Sequence, residues 1–445
     1  MNKNILKHSA VYSLVKSHVM FTFKRFYGEY IVNGKENIPT DVPVIFAANH
    51  TNALMDPLAV ISALPKETQI VYLARSDYFR NKKMKNILLY FKILPAFRMR
   101  EGIENIDKNY EVFDACVEVL NNRKPLGIMP EGNQGPQHRI RTLMEGIFRI
   151  AFSAQEKYKL KDGVKIVPVG VDYGSLENFG DHIIINIGKP IEVSEYMETY
   201  EENQVKAINE LRDRLTEDMK NLTIHFSSSE YFNCYEAVSK AADAQSRSKT
   251  SMMNVFRRRQ KIATKLSELE EQKPQLLEKL SKLTTRYNKN LDKLQLKPWV
   301  FNQKDHSAGK ILLTALMLAF TFPVFLIGLI CNFLPFFSPD FILKIFKINP
   351  PGAKGSLRFG LSLLTFPVFY LIQALIFFKK LKDNFLYLIL LIPMQYIFGK
   401  LSFFWFRHFK TCMMKVRYRI LKYNNSDLLK ETESIHREVF DLIQA

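Results

Sequence analysis

Three charge-free runs in the last third of the chain constrain its fold more than any other feature: Ile311–Ile330, Phe359–Phe378 and Phe385–Gly399. The first two reach about 20 residues, the length of helix that spans a bilayer core. Lipid offers no partner to an open backbone, so such runs must be helices whose hydrogen bonds close internally. The expected spans are 311–333, 357–378 and 385–406, with Pro323, Pro367 and Pro393 inside them. Proline is tolerated there where neighbouring groups satisfy the freed carbonyls. Lys379, Lys380 and Lys382 mark a loop that prefers the cytoplasm, and Arg407, Lys410, Lys415, Arg417 and Arg419 prefer the same side. Three true spans cannot place both stretches on one side. Either the third segment is re-entrant or interfacial, or one basic stretch lies on the opposite face.

The charge balance narrows the partners. A formal net charge of +19 suits nucleic acid, anionic headgroups or phosphorylated substrates; the plain alternative is surplus lysine that keeps the protein soluble. Together with the apolar runs it points to anionic lipid or a lipid substrate. No nucleic-acid partner is expected, because no aromatic–basic recognition motif accompanies the charge. Cys116, Cys234, Cys331 and Cys412 lie far apart, with neither zinc-ligand spacing nor a disulfide framework. Met1–Lys7 lacks the apolar core of a signal peptide. Ala10–Phe26 carries Lys16, Lys24 and Arg25 among its apolar residues and is too charged to span. It reads either as an interfacial amphipathic helix or as a surface helix docked on the domain.

Residues 28–195 alternate strand-like runs with helical patterns, which predicts an α/β fold. The strands are expected at Glu29–Asn33, Val42–Ala48, Ile70–Ala74, Leu126–Met129, Lys165–Val171 and Ile183–Ile187. Asn33-Gly34 closes the first and Gly188-Lys189-Pro190 ends the last. Helices are expected over Asn109–Asn121 and Glu202–Leu222. A heptad-like leucine spacing from Ile262 to Tyr287 is interrupted by Pro274, which favours a helical pair over one long coiled coil. The expected division is an N-terminal amphipathic helix over 1–27, an α/β domain over 28–200 and a helical extension over 201–300. The membrane region follows over 301–410, with a basic amphipathic helix or tail over 411–445.

Two short segments carry chemistry. In the first, Phe46-Ala47-Ala48-Asn49-His50-Thr51-Asn52-Ala53-Leu54-Met55-Asp56-Pro57, an apolar strand delivers a histidine and an aspartate follows six positions on. A neutral imidazole can take a proton from an alcohol near neutral pH, and a carboxylate within reach can fix its tautomer. Asp56 also stands where it could cap a helix starting at Pro57. In the second, Ile128-Met129-Pro130-Glu131-Gly132 ends another strand. Together these segments resemble the first and third signature blocks of the glycerolipid acyltransferases, the family of 1-acylglycerol-3-phosphate acyltransferases. Ile93-Leu94-Pro95-Ala96-Phe97-Arg98-Met99-Arg100 sits in the place of the second block, and Ile166-Val167-Pro168-Val169-Gly170-Val171 in that of the fourth.

The resemblance implies an acyltransferase-type sheet wrapped by helices, followed by the helical extension and membrane region. It implies transfer of an acyl group from acyl-CoA or acyl carrier protein to a hydroxyl of 1-acylglycerol 3-phosphate or a similar acceptor. Glycerol 3-phosphate, or another lysophospholipid, is the alternative acceptor, and a non-catalytic lipid-binding scaffold the alternative of another class. His50 is then the base and Asp56 its orienting carboxylate, with Arg98, or Arg100 in its stead, on the acceptor phosphate. Glu131, Gly132, Asn49 and Asn52 line the acceptor site. No metal and no bound cofactor is implied, and the catalytic domain of an integral membrane protein is expected at the cytoplasmic face.

Two departures stand out. The five residues Thr51–Met55 between His50 and Asp56 are one more than the family has. Were they helical, the two side chains would point about 120° apart, so a loop is predicted with the helix starting near Asp56. The Thr-Arg-Ser that follows Glu-Gly in the family is replaced by Asn133-Gln134-Gly135, which leaves Arg139 and Arg141 as candidates for that arginine's place.

Overall fold

A computed structural model of the chain describes residues 5–96, 106–135, 137–159, 163–244, 251–301, 307–348, 353–380 and 385–444. They form two compact units, Met1–His225 with Asn349–Phe359, and Phe226–Ile348 with Gly360–Ala445.

The first unit opens with α1 (Ala10–Phe26), which buries Tyr12 and Phe23 while Val11, Leu14 and Phe21 stay exposed. Then follow β1 (Glu29–Asn33), β2 (Val44–Ala48), α2 (Met55–Ala63), β3 (Val71–Arg75), α3 (Lys82–Tyr90) and β4 (Ile93–Ala96). Next come α4 (Ile106–Asn121), β5 (Leu126–Ile128), α5 (Gly146–Tyr158), β6 (Lys165–Tyr173), β7 (His182–Ile187) and β8 (Ile191–Glu192). The unit continues through α6 (Met197–Glu202) and α7 (Gln204–Leu222). The strands make one sheet in the order β1-β7-β6-β2-β5-β3-β4, with β8 beside β6. β6, β2, β5, β3 and β4 run parallel; β7 and β8 run antiparallel to β6. Every residue of β2 is buried, as its unbroken apolar run Val-Ile-Phe-Ala-Ala requires of a strand covered on both faces. Its register pairs Ala47 with Ile128 of β5 and Ala48 with Val169 of β6. The carboxyl ends of β2, β5 and β6 therefore emerge side by side, where ligands bind in open α/β sheets.

Three features depart from what the sequence pattern alone suggests. A proline within a strand belongs at a sheet edge or a strand end, but Pro168 stands in β6, inside the sheet. Its missing N–H falls where β6 changes partner from β8 to β7, and the Pro168 carbonyl there accepts the Gly188 N–H at 2.9 Å. Ile93–Ala96 is a strand, and since β4 is the sheet edge its Pro95 is tolerated. Residues 201–225 belong to the first unit rather than to a separate extension. The α7 stripe Ile208, Leu211, Leu215 and Met219 is buried in one core with Ile147, Phe148 and Phe152 of α5.

The second unit holds α8 (Phe232–Ala244), α9 (Met252–Gln272) and α10 (Pro274–Leu294). α9 and α10 meet at Lys273, with Pro274 in the first helical position, where its lack of an N–H costs nothing. Among the described residues three helices are long and apolar enough to cross a membrane: α11 (Ala308–Ile345), α12 (Lys354–Lys380) and α13 (Phe385–Tyr423). α12 starts in the first unit and continues into the second. Pro323, Pro367 and Pro393 lie inside continuous helices, and the third segment is one uninterrupted helix rather than a re-entrant loop. Phe320, Ile330 and Leu364 are exposed, while Asn332, Tyr370, Gln373 and Gln395 hydrogen-bond among the helices. An apolar exterior around interhelical polar contacts suits helices solvated by lipid. The chain's last helix, α14 (Asp427–Gln444), is acidic rather than basic: Asp427, Glu431, Glu433, Glu438 and Asp441 outweigh Lys430 and Arg437. The basic residues expected there extend α13 instead.

Candidate active site

The site grows from the end of β2. Asn49, the first residue past the strand, extends the β2–β6 ladder with its side chain: Oδ1 accepts the Val171 N–H at 2.7 Å and Nδ2 donates to the Val171 carbonyl at 3.0 Å. His50 follows with both backbone groups held by the segment after β5. Its N–H donates to Glu131 Oε1 at 2.9 Å, and its carbonyl accepts the Gly135 N–H at 2.9 Å. The imidazole therefore leaves a rigid base.

The loop that follows stays non-helical until Met55, as predicted. α2 begins at Met55, Leu54 flanks it without a side-chain cap, and Asp56 lies in the first turn. Asp56 does not cap its own helix. Its Oδ2 instead turns back to accept the Thr51 N–H at 2.8 Å and the Asn52 N–H at 2.7 Å, and it lies 2.9 Å from His50 Nδ1. Oδ1 accepts the Tyr173 hydroxyl at 2.6 Å. Asp56 is fully buried, whereas the His50 side chain is 20% exposed. With Asp56 acting as acceptor, Nδ1 of His50 carries the proton and Nε2 keeps its lone pair. Among the described residues Nε2 has no hydrogen-bond partner.

Glu131 is 3% exposed, and its second oxygen accepts Arg141 Nε at 2.8 Å and the Arg141 N–H at 3.3 Å. Burial pushes this carboxyl above its ordinary value, against the pull of the His50 N–H and Arg141. Arg141 also donates to the Asn133 carbonyl. Of the two arginines considered for the altered third block, Arg141 is the one paired with Glu131. Gly132 has φ +69 and closes the turn after β5 by donating to the Met129 carbonyl at 3.0 Å. A side chain there would be strained whatever the space around it.

His50, Asp56, Glu131 and Gly132 thus meet at the carboxyl ends of adjacent strands. Two other residues expected on the acceptor are occupied otherwise. Asn49 is bonded to β6, and Asn52 donates to the Leu176 carbonyl at 3.0 Å while its Oδ1 lies 3.1 Å from Ser356 Oγ. Both are buried and hold backbone rather than face an open site. Arg98 and Arg100 lie outside the described residues. Tyr173 was not anticipated. Burial, together with Asp56 and Tyr27, holds its hydroxyl well above the usual tyrosine value, so it remains a donor to Asp56. Its only trace in the sequence is its place at the end of the apolar run that forms β6. His138 Nε2, 3.0 Å from Asp172 Oδ1, ties the segment after the third block to the same strand. Among the described residues no group of three or more His, Cys, Asp or Glu is placed to hold a metal ion.

Residues 29–172 match the family model described as Acyltransferase. A stretch of 116 residues is 28% identical to glycerol-3-phosphate O-acyltransferase 1 of Saccharomyces cerevisiae, covering 25% of this chain and 15% of that protein. The chain thus matches only a small part of the yeast protein's length. The 1-acyl-sn-glycerophosphate (LPA) acyltransferase PlsC from Thermotoga maritima is 19% identical, with a TM-score of 0.34 over 49% of this chain and 86% of that one. The His50–Asp56 pair and the Glu131-Gly132 turn both lie within residues 29–172, the stretch that matches the Acyltransferase family model.

Proposed function

We propose that this protein is a membrane-bound O-acyltransferase of phospholipid biosynthesis. It moves a fatty acyl group from a thioester, acyl-CoA or acyl carrier protein, to a hydroxyl of 1-acylglycerol 3-phosphate or a similar acceptor. The observation that carries this reading is the free Nε2 of an imidazole whose Nδ1 is fixed 2.9 Å from Asp56. Nε2 takes the acceptor's hydroxyl proton as the oxygen attacks the thioester carbonyl carbon. The C–O bond forms, the C–S bond breaks, and the thiolate leaves with the proton that His50 returns. The acceptor alcohol is itself the nucleophile, so no acyl-enzyme is needed. Asp56 holds the imidazole in the reactive tautomer and stabilises its protonated form.

Arg98 or Arg100 grips the acceptor phosphate, since a guanidinium binds it through two parallel bonds. The Glu131–Arg141 pair braces the backbone of His50. The apolar helices hold the catalytic unit at the cytoplasmic face, where both thioester donors are found and a lipid product can leave sideways. Purified protein in lipid vesicles, supplied with each labelled thioester and with glycerol 3-phosphate or 1-acylglycerol 3-phosphate, tests the reading. Acyl transfer to 1-acylglycerol 3-phosphate supports it. Transfer only to glycerol 3-phosphate moves the chain to the first acylation step, the one in the yeast relative's name. No transfer with any pair favours a lipid-binding scaffold.

A further inference from the structure

The loop between His50 and Asp56 contains a backbone conformation that its own sequence does not favour. Ala53 has φ +29, in the left-handed region where a Cβ is unfavourable. Its two neighbours are both held by one side chain from far along the chain. Ser356 Oγ accepts the Leu54 N–H at 3.0 Å and lies 3.1 Å from both the Asn52 carbonyl and Asn52 Oδ1. The hydroxyl therefore bridges the chain across Ala53. Ser356 is 4% exposed, so water does not readily replace it.

The first turn of α12 is built to bring this hydroxyl in. A Cβ on Gly355 would stand 2.0 Å from the Leu176 carbonyl oxygen, so only glycine lets the turn lie so close. The same carbonyl accepts Asn52 Nδ2 at 3.0 Å. Phe359, one turn on, is fully buried with its ring 5.9 Å from Phe23 and 5.6 Å from Phe26 of α1. The seat is dry and closely packed.

We infer that Ser356 is a positioning residue for the acyl transfer, and that the first turn of α12 clamps the lengthened loop that aligns His50 with Asp56. The inference rests on the acyltransferase reading. It follows from a short bonded chain: Ser356 holds Asn52, the Asn52 N–H lies 2.7 Å from Asp56 Oδ2, and that oxygen holds His50 Nδ1. Without the hydroxyl, Ala53 is free to leave its strained conformation and carry the Thr51 and Asn52 N–H groups away from Asp56. Residue 356 lies well outside 29–172, so the catalytic loop of this chain is completed by the helix that carries its second apolar run.

Two readouts on the full-length protein in vesicles test the clamp. In steady-state kinetics, Ser356→Ala lowers kcat about tenfold, the effect of one lost hydrogen bond on catalytic alignment, with both KM values within about twofold. Ser356→Thr, which keeps the hydroxyl, recovers most of the loss, and Lys354→Ala on the outer side of the turn leaves kcat unchanged. Hydrogen exchange is read in the same variants: Ser356→Ala speeds the Thr51, Asn52 and Leu54 amides about tenfold or more, the effect of losing about 1.4 kcal/mol of local protection. A wild-type kcat in Ser356→Ala, a loss confined to KM, equal losses in the Ala and Thr variants, or unchanged exchange overturns the clamp. Wild-type protein inactive on every acceptor overturns the acyltransferase reading instead, and the exchange data then decide the clamp by themselves.

Discussion

The hydroxyl of Tyr173 lies 2.6 Å from Oδ1 of Asp56, on the carboxylate oxygen that His50 does not use. One oxygen of a buried acid thus holds the His50 imidazole while the other is tied to the end of β6, two strand ends joined through one carboxylate. Tyr173→Phe removes this tie and leaves Oδ1 buried without its donor. Stability in a denaturant titration is expected to fall by about 1–3 kcal/mol, and kcat to fall with it.

Asp56→Asn keeps the size of the side chain and reverses half of its hydrogen bonding. An amide cannot accept from Thr51 N–H, Asn52 N–H, Tyr173 and His50 Nδ1 together, so the imidazole turns to the wrong tautomer. Activity is expected to fall by at least about 10²-fold with KM little changed. Steady-state kinetics on folded variant protein checks this.

Arg141 is 29% exposed and Glu131, its partner, 1% in the side chain. Arg141→Leu leaves a buried carboxyl without its cation and is expected to cost about 2–4 kcal/mol of stability. Adding Glu131→Gln, which retains an acceptor for the His50 N–H, recovers part of that loss. A double-mutant cycle by chemical denaturation measures the coupling.

His225 gives the first unit a pH dependence. Its Nδ1 accepts the Ile140 N–H at 3.0 Å, and burial, with Lys220 and Arg139 nearby, pushes the imidazole down to about 4. The unfolded chain therefore binds a proton at this residue before the folded chain does. The stabilisation is complete above the ordinary histidine value of 6.5 and is lost as pH falls towards about 4. Thermal unfolding from pH 7.5 to 4 is expected to show a shallower acid decline for His225→Asn than for wild type. Equal slopes contradict the assignment.

Several parts of this architecture were legible in the sequence because one local pattern determined them. The all-apolar β2, the bounds of α1 and the charge-free helices followed from periodicity and hydropathy alone. The loop before Asp56 followed instead from the pairing that the resemblance implied, since a helical loop could not have brought His50 and Asp56 together. What failed to show was decided by neighbours distant in sequence. The α7 stripe announced a covered helix face but not that the first unit's core would cover it. Pro168 suggested an edge because nothing local revealed that β6 changes partner at that residue. Asn49 and Asn52 had the look of ligand-facing amides, yet the backbone of Val171 took the hydrogen bonds of the first, and the Leu176 carbonyl and Ser356 hydroxyl those of the second. Tyr173 and Ser356 lie 117 and 304 residues from the groups they hold, and no spacing rule reaches that far.

The most direct test of the central claim is the acyl-transfer rate of His50→Ala beside wild type, in vesicles, with the thioester and acceptor that wild type uses best. Loss of the base predicts a fall in kcat of about 10³-fold or more with the fold intact. A variant that keeps kcat within about tenfold of wild type would mean that Nε2 of His50 is not the group that takes the proton.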